Sequence, residues 1–215
     1  MKRMLSAWRN VLIHPGEGVF EKELADPNAT LRTGIQWLGI GITLSAILSG
    51  ISTFLYESFS TAYVGTRSFL VISLLGKLGI TFDPLSIRDW ISSPMAGGLF
   101  AFFVFLIGAP LMLLIAFVSA FGLAELLGGK GSFSKQTYAL ALFVPSLMII
   151  ANALGMFRLI GVCMVTPVLW VFAIILSIFA IKVVYGLSRI KSSIIVVTLY
   201  LVITLVVIIL NPPRL

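Results

Sequence analysis

"MAGGLFAFFVFLIGAPLMLLIAFVSAFGL", Met95–Leu123, runs for 29 residues without a charge. A helix of that length reaches about 43 Å, more than the roughly 30 Å of a bilayer's hydrocarbon core. It has no polar face to leave in water, so it reads as a transmembrane helix. Pro110 in its middle predicts a kink or a steep tilt. The whole chain agrees. Of its 215 residues 59% are hydrophobic and 11% charged, with a mean hydropathy of +1.11. A soluble surface needs about a quarter of its residues charged. The fold class is therefore all-α, a polytopic integral membrane protein.

Four more apolar segments flank the first. Gly34–Leu55 is 22 residues without a charge. Thr137–Phe157 contains Pro145, and Leu159–Ile181 contains Pro167, with Arg158 as a tight turn between them. Ile194–Leu210 is just long enough to cross, and Asn211, Pro212 and Pro213 close it. The predicted membrane domain, 34–215, is a bundle of five transmembrane helices at 34–55, 95–123, 137–157, 159–181 and 194–210. A long outer connection, 56–94, holds "SFLVISLLGKLGITF" (Ser68–Phe82), which is too short for a routine span and carries Lys77; it reads as interfacial or re-entrant, with a sixth span as the alternative.

Residues 1–33 precede the first span. Met1, Met4, Leu5, Trp8, Val11 and Leu12 recur at helical spacing, with Lys2, Arg3, Ser6, Arg9 and Asn10 on the other face. That is a basic amphipathic helix, stopped by Pro15, Gly16 and Gly18. Two hosts suit its apolar face: an anionic membrane surface, with Trp8 at headgroup level, or the protein's own spans. "EKELADPN" (Glu21–Asn28) is acidic, polar and turn-ended. The N-terminus lacks a continuous apolar core and a small-residue cleavage site, so no cleavable signal peptide is expected.

Lysine and arginine set the orientation. Ten (Lys2, Arg3, Arg9, Lys22, Arg32, Lys130, Lys135, Lys182, Arg189, Lys191) fall on one side of the predicted bundle, and five (Arg67, Lys77, Arg88, Arg158, Arg214) on the other. The N-terminus is expected in the cytoplasm and the C-terminus outside.

No Asp, Glu, Lys, Arg or His lies within the five spans. Ion-coupled transport, proton relays and voltage sensing need such groups at membrane depth, and intramembrane hydrolysis needs a base or paired carboxylates. Three proline-bearing spans in a five-span chain make no inverted repeat. One cysteine, Cys163, and one histidine, His14, give neither a disulfide nor a zinc site, and no cofactor is expected. No basic-aromatic pattern points to nucleic acid. Asn152, the most polar intramembrane side chain, reads as an interhelical hydrogen bond. Small residues at Gly41, Ser45 and Ser49, at Ala46 and Gly50, and at Ala116, Ala120 and Ala124 predict close helix packing within the chain, with a homodimer face as the alternative.

"LLGGKGSFSKQ" (Leu126–Gln136) is the main polar island. A phosphate-binding loop requires glycine where Ala124 stands and Ser or Thr where Gly131 stands, so nucleotide binding is rejected. Gly128, Gly129 and Gly131 end a helix, and Ser132 or Ser134 caps the next. The functional alternative is a surface for a membrane partner or for anionic lipid headgroups. It would comprise Glu125, Gly128, Gly129, Lys130, Gly131 and Lys135, with Lys2, Arg3, Trp8 and Arg9 of the N-terminal helix.

Three stretches resemble the Yip (Ypt-interacting protein) domain family: "WRNVLIHPGEGVF" (Trp8–Phe20), "AELLGGKGSFSKQTYALALFVP" (Ala124–Pro145) and "YGLSRIKSSIIVV" (Tyr185–Val197). The resemblance implies five spans, a cytoplasmic N-terminus and a non-enzymatic role. The long N-terminal region and D-L-Y-G-P-type motif of eukaryotic members are absent, so Rab-type GTPase binding is not carried over. The chain is similar instead to prokaryotic members, some of which are reported beside ABC-type exporters. That implies a prokaryotic cell membrane and an adaptor, assembly or accessory role for a membrane partner. The alternatives are a lipid or small-molecule translocator and a structural subunit of a larger complex.

Overall fold

The computed structural model describes residues 1–59, 93–155 and 165–210, and every regular element among them is helical. In chain order they are α1 (Lys2–Ile13), α2 (Glu17–Leu24), α3 (Leu31–Phe59), α4 (Pro94–Leu126), α5 (Phe133–Ala141), α6 (Val144–Gly155), α7 (Thr166–Tyr185) and α8 (Arg189–Leu210). Four stretches are long and apolar enough to cross a membrane: Leu31–Tyr56, Pro94–Leu126, Phe133–Gly155 and Thr166–Tyr185. α8 covers the expected fifth span with 22 residues and is not among those four. Most of the connection 56–94, with the segment 68–82, lies outside the described residues, as do Arg158 and the closing 211–213.

The bundle is built inside out for lipid. Ile47, Ile107, Val118, Val168 and Leu201 point outward, while the interior mixes large side chains such as Tyr138, Phe20 and Phe143 with small ones such as Ser45, Ala46 and Ala124. α3 is the central post, because its glycines let other backbones touch it. A Cβ on Gly34 would stand 3.0 Å from Tyr138 Cα, and one on Gly50 3.0 Å from the Gly98 carbonyl oxygen of α4. Ser45 and Ala46 are buried between them. The small-residue row of the first span thus serves packing within the chain.

The three prolines behave differently. α4 continues through Pro110. Pro167 stands in the first described turn of α7, a position where helices tolerate proline; residues 159–164 of the expected span 159–181 lie outside the described residues. Pro145 breaks its span. The segment expected as one helix is two, α5 and α6, parted at Leu142 and Phe143. Proline at 145 cannot donate to the carbonyl of residue 141, and its ring presses on that turn. The backbone tightens instead, with Leu142 N–H on Ala139 O and Phe143 N–H on Leu140 O, both at 3.3 Å.

The N-terminal segment seats on this break. Met4, Ala7, Trp8 and Val11 of α1 are buried, and the Trp8 indole donates to Ala141 O at 2.9 Å. That carbonyl is the one Pro145 leaves without its helical donor. Of the two hosts open to α1, the structure uses the protein's own helices, and Trp8 faces them. The polar stretch after it is more ordered than its composition suggests. α2 covers Glu17–Leu24, puts fully buried Phe20 edge-on to Phe143 at 6.1 Å, and pairs Glu17 with Lys182 of α7 at 2.5 Å.

Arg3 pairs with Asp26 beyond α2. The Asn28 backbone N–H, at 2.7 Å, and then Arg3 hold the Asp26 carboxyl below the ordinary carboxylate value. A lowered folded-state pKa adds stability above the unfolded value, which is lost as pH falls through the folded one. The unfolding midpoint is expected to drop as pH falls below the ordinary carboxylate range, and Asp26→Asn to flatten that part of the profile.

Candidate functional site

The polar island forms one rim of the bundle, where α4 meets α5 and α7 meets α8. α4 ends in a Schellman turn: Gly128 N–H bonds Glu125 O at 2.9 Å and Gly129 N–H bonds Ala124 O at 2.8 Å. Gly128 takes φ +85°, a conformation open mainly to glycine. The chain then crosses directly over Tyr185, and Lys130 N–H donates to Tyr185 O at 3.1 Å. A Cβ on Gly131 would lie 2.6 Å from both the Tyr185 ring and the Val184 carbonyl oxygen. Ser132 caps α5, its Oγ accepting from Lys135 N–H at 3.3 Å. From the neighbouring turn Lys191 Nζ donates to Leu127 O at 2.8 Å.

Beneath the turn lies a buried polar pair absent from the sequence reading. Gln136 is fully buried; its amide donates to Phe117 O at 2.9 Å and its carbonyl accepts the Tyr185 hydroxyl. One glutamine side chain therefore joins α4, α5 and α7. The signal was a lone amide one residue outside the span drawn from Thr137.

The glycines thus have structural work. Gly131→Ala is expected to cost about 1–3 kcal/mol, because a carbonyl oxygen has nowhere to go. Gly122→Ala, with nothing within 4 Å of its new methyl, is the matched neutral control. Thermal denaturation in detergent reads the difference.

What remains for binding is charge. Glu125, Lys130 and Lys135 are exposed and form no ion pair among the described residues. On α1, Lys2 and Arg9 are exposed, Arg3 is engaged by Asp26, and Trp8 is buried. Both groups lie at the same end of the bundle, since α1 seats on Ala141 and α2 on Lys182. Among the described residues no hydrogen bond or ion pair joins them, and no three His, Cys, Asp or Glu side chains gather to hold a metal. Asn152 donates to Met148 O of its own helix at 2.9 Å, not across helices as expected. Deeper in the bundle, a part-enclosed apolar cavity of about 400 Å³ lies between α4, α5 and α6, α7 and α8.

A family model described as the Yip1 domain matches residues 9–211. The chain belongs to the Yip1 domain family. The match covers nearly the whole chain, from Arg9 in α1 to the end of α8, and so includes α2 and the last turn of α1. No curated protein and no solved structure matches this Yip1-domain protein.

Proposed function

We infer that this Yip1-domain protein is a non-enzymatic membrane adaptor or accessory factor, holding a membrane partner against one charged rim. Its α8 serves as a fifth crossing, which puts ten of the fifteen lysines and arginines on the side of the N-terminus, in the cytoplasm of a prokaryotic cell, and the C-terminus outside. The observation that carries the reading is the contrast between depth and rim. The described helix interiors hold small, apolar and hydrogen-bonded neutral groups, whereas Lys2, Arg9, Glu125, Lys130 and Lys135 stand exposed at one end. Such a rim suits a partner's acidic face or anionic headgroups.

Pull-down from gently solubilised membranes tests it. Lys130→Glu with Lys135→Glu is expected to cut recovery of a co-purifying membrane partner by about tenfold, with thermal stability unchanged. A protein recovered alone, or recovery indifferent to the charge reversal, counts against the adaptor. The cavity favours a second reading, a lipid or small-molecule translocator, which dose-dependent flux in liposomes would support.

A further inference from the structure

The cavity has a shape and a polarity that choose its occupant. On α7 its walls run from Thr166 to Ile181, and on α4 from Phe105 to Ala120. Either stretch is about 22 Å of helix axis. About 400 Å³ drawn out over that length is roughly the width of one hydrocarbon chain. One end stops a helical turn short of the Gln136–Tyr185 hydrogen bond, which joins the helices there. At the other end stand Asn152 and Thr166, while Ser177 and Tyr200 put their hydroxyls side by side part-way along.

Water is a poor filling, because each buried molecule needs two to four polar partners and the walls are almost wholly apolar. Left unfilled, the part-enclosed cavity would leave its apolar walls without packing partners on one side. At this depth the apolar material at hand is lipid. We propose that the cavity is a binding site for one hydrocarbon chain of a membrane lipid, its tail towards Gln136 and its polar end by Asn152 and Thr166. The site is built from the interior faces of the helices and does not depend on the adaptor reading, whose charges lie elsewhere.

The test is native mass spectrometry of the full chain extracted in mild detergent. The protein is expected to carry one lipid-mass adduct. Ala173→Phe on α7 and Ala116→Phe on α4 each put a ring into the cavity, and each should lower adduct retention about tenfold. Val118→Phe, on the outward face of α4, should leave it unchanged. Delipidated wild-type protein should also gain thermal stability from added lysophospholipids as their chain lengthens, up to a plateau where the chain fills the cavity. Equal retention in all four proteins overturns the proposal. So does a stability response that is flat, or that climbs without a plateau. A dimer abolished by Ala173→Phe would assign the cavity to a second copy and overturn it too.

Discussion

Trp8→Phe is expected to destabilise the protein by about 1–3 kcal/mol, although only the indole N–H and part of a ring are lost. The reason lies at Ala141, whose carbonyl has no helical donor because residue 145 is proline. Removing the indole leaves a buried acceptor unpaired, which costs more than one average hydrogen bond contributes. Trp8→Ala adds a cavity beneath α1 and is expected to reach about 3–5 kcal/mol. Limited proteolysis should then cut within α1 before the bundle, because Met4, Ala7 and Val11 lose their seat with it. The double variant separates this account from simple loss of packing. Pro145→Ala restores an N–H that can donate to Ala141 O, so Trp8→Phe in that background should be nearly silent. Additive losses would show that the indole bond does not serve the proline break.

The second large effect is expected at Gly41. A Cβ there would stand 2.1 Å from Pro145 Cβ and 2.9 Å from its Cα. Both belong to a rigid residue, so no side chain can swing aside, and α3 would have to draw away from α6. It is held on both sides of that point, by Gly34 against Tyr138 and by Gly50 against Gly98. Gly41→Ala is therefore expected to cost about 3 kcal/mol, the upper end of overpacking. Gly41→Val should fail to accumulate as a monodisperse species in detergent. Gly39→Ala, two residues away with open space around it, should match the wild type. A wild-type midpoint for Gly41→Ala would mean that the α3–α6 crossing is looser than its backbone contact implies.

The fold was legible wherever one residue's neighbours in sequence decide its environment. The apolar runs gave the long helices, the three- and four-residue spacing gave α1, and the glycines after Leu127 gave the turn that ends α4. What depends on residues far apart was not legible. Periodicity says that Trp8 has an apolar neighbourhood, but only the fold brings it to residue 141. A proline in an apolar run reads the same at 110 and at 145, yet it is absorbed at the first and breaks the helix at the second. At the rim the glycines do end α4, as the sequence suggests, through Gly128 and its positive φ. What the sequence could not show is that Gly129 and Gly131 also have Tyr185 against them. Gln136 was overlooked because a span boundary drawn by hydropathy discards the polar residue at its edge, and that residue became the pin of three helices.

The indole tie also bears on how the chain is made. The carbonyl that receives Trp8 is 133 residues further along, so a ribosome adding about 5–20 residues per second needs roughly seven to twenty-seven seconds to deliver it. Through that interval α1 has its oily side complete and no permanent mate. A nascent chain in that condition must borrow a host, either the nearby bilayer surface or an attending chaperone, and surrender it once the third crossing has entered. A helix made well before its mate is thus among the last to settle.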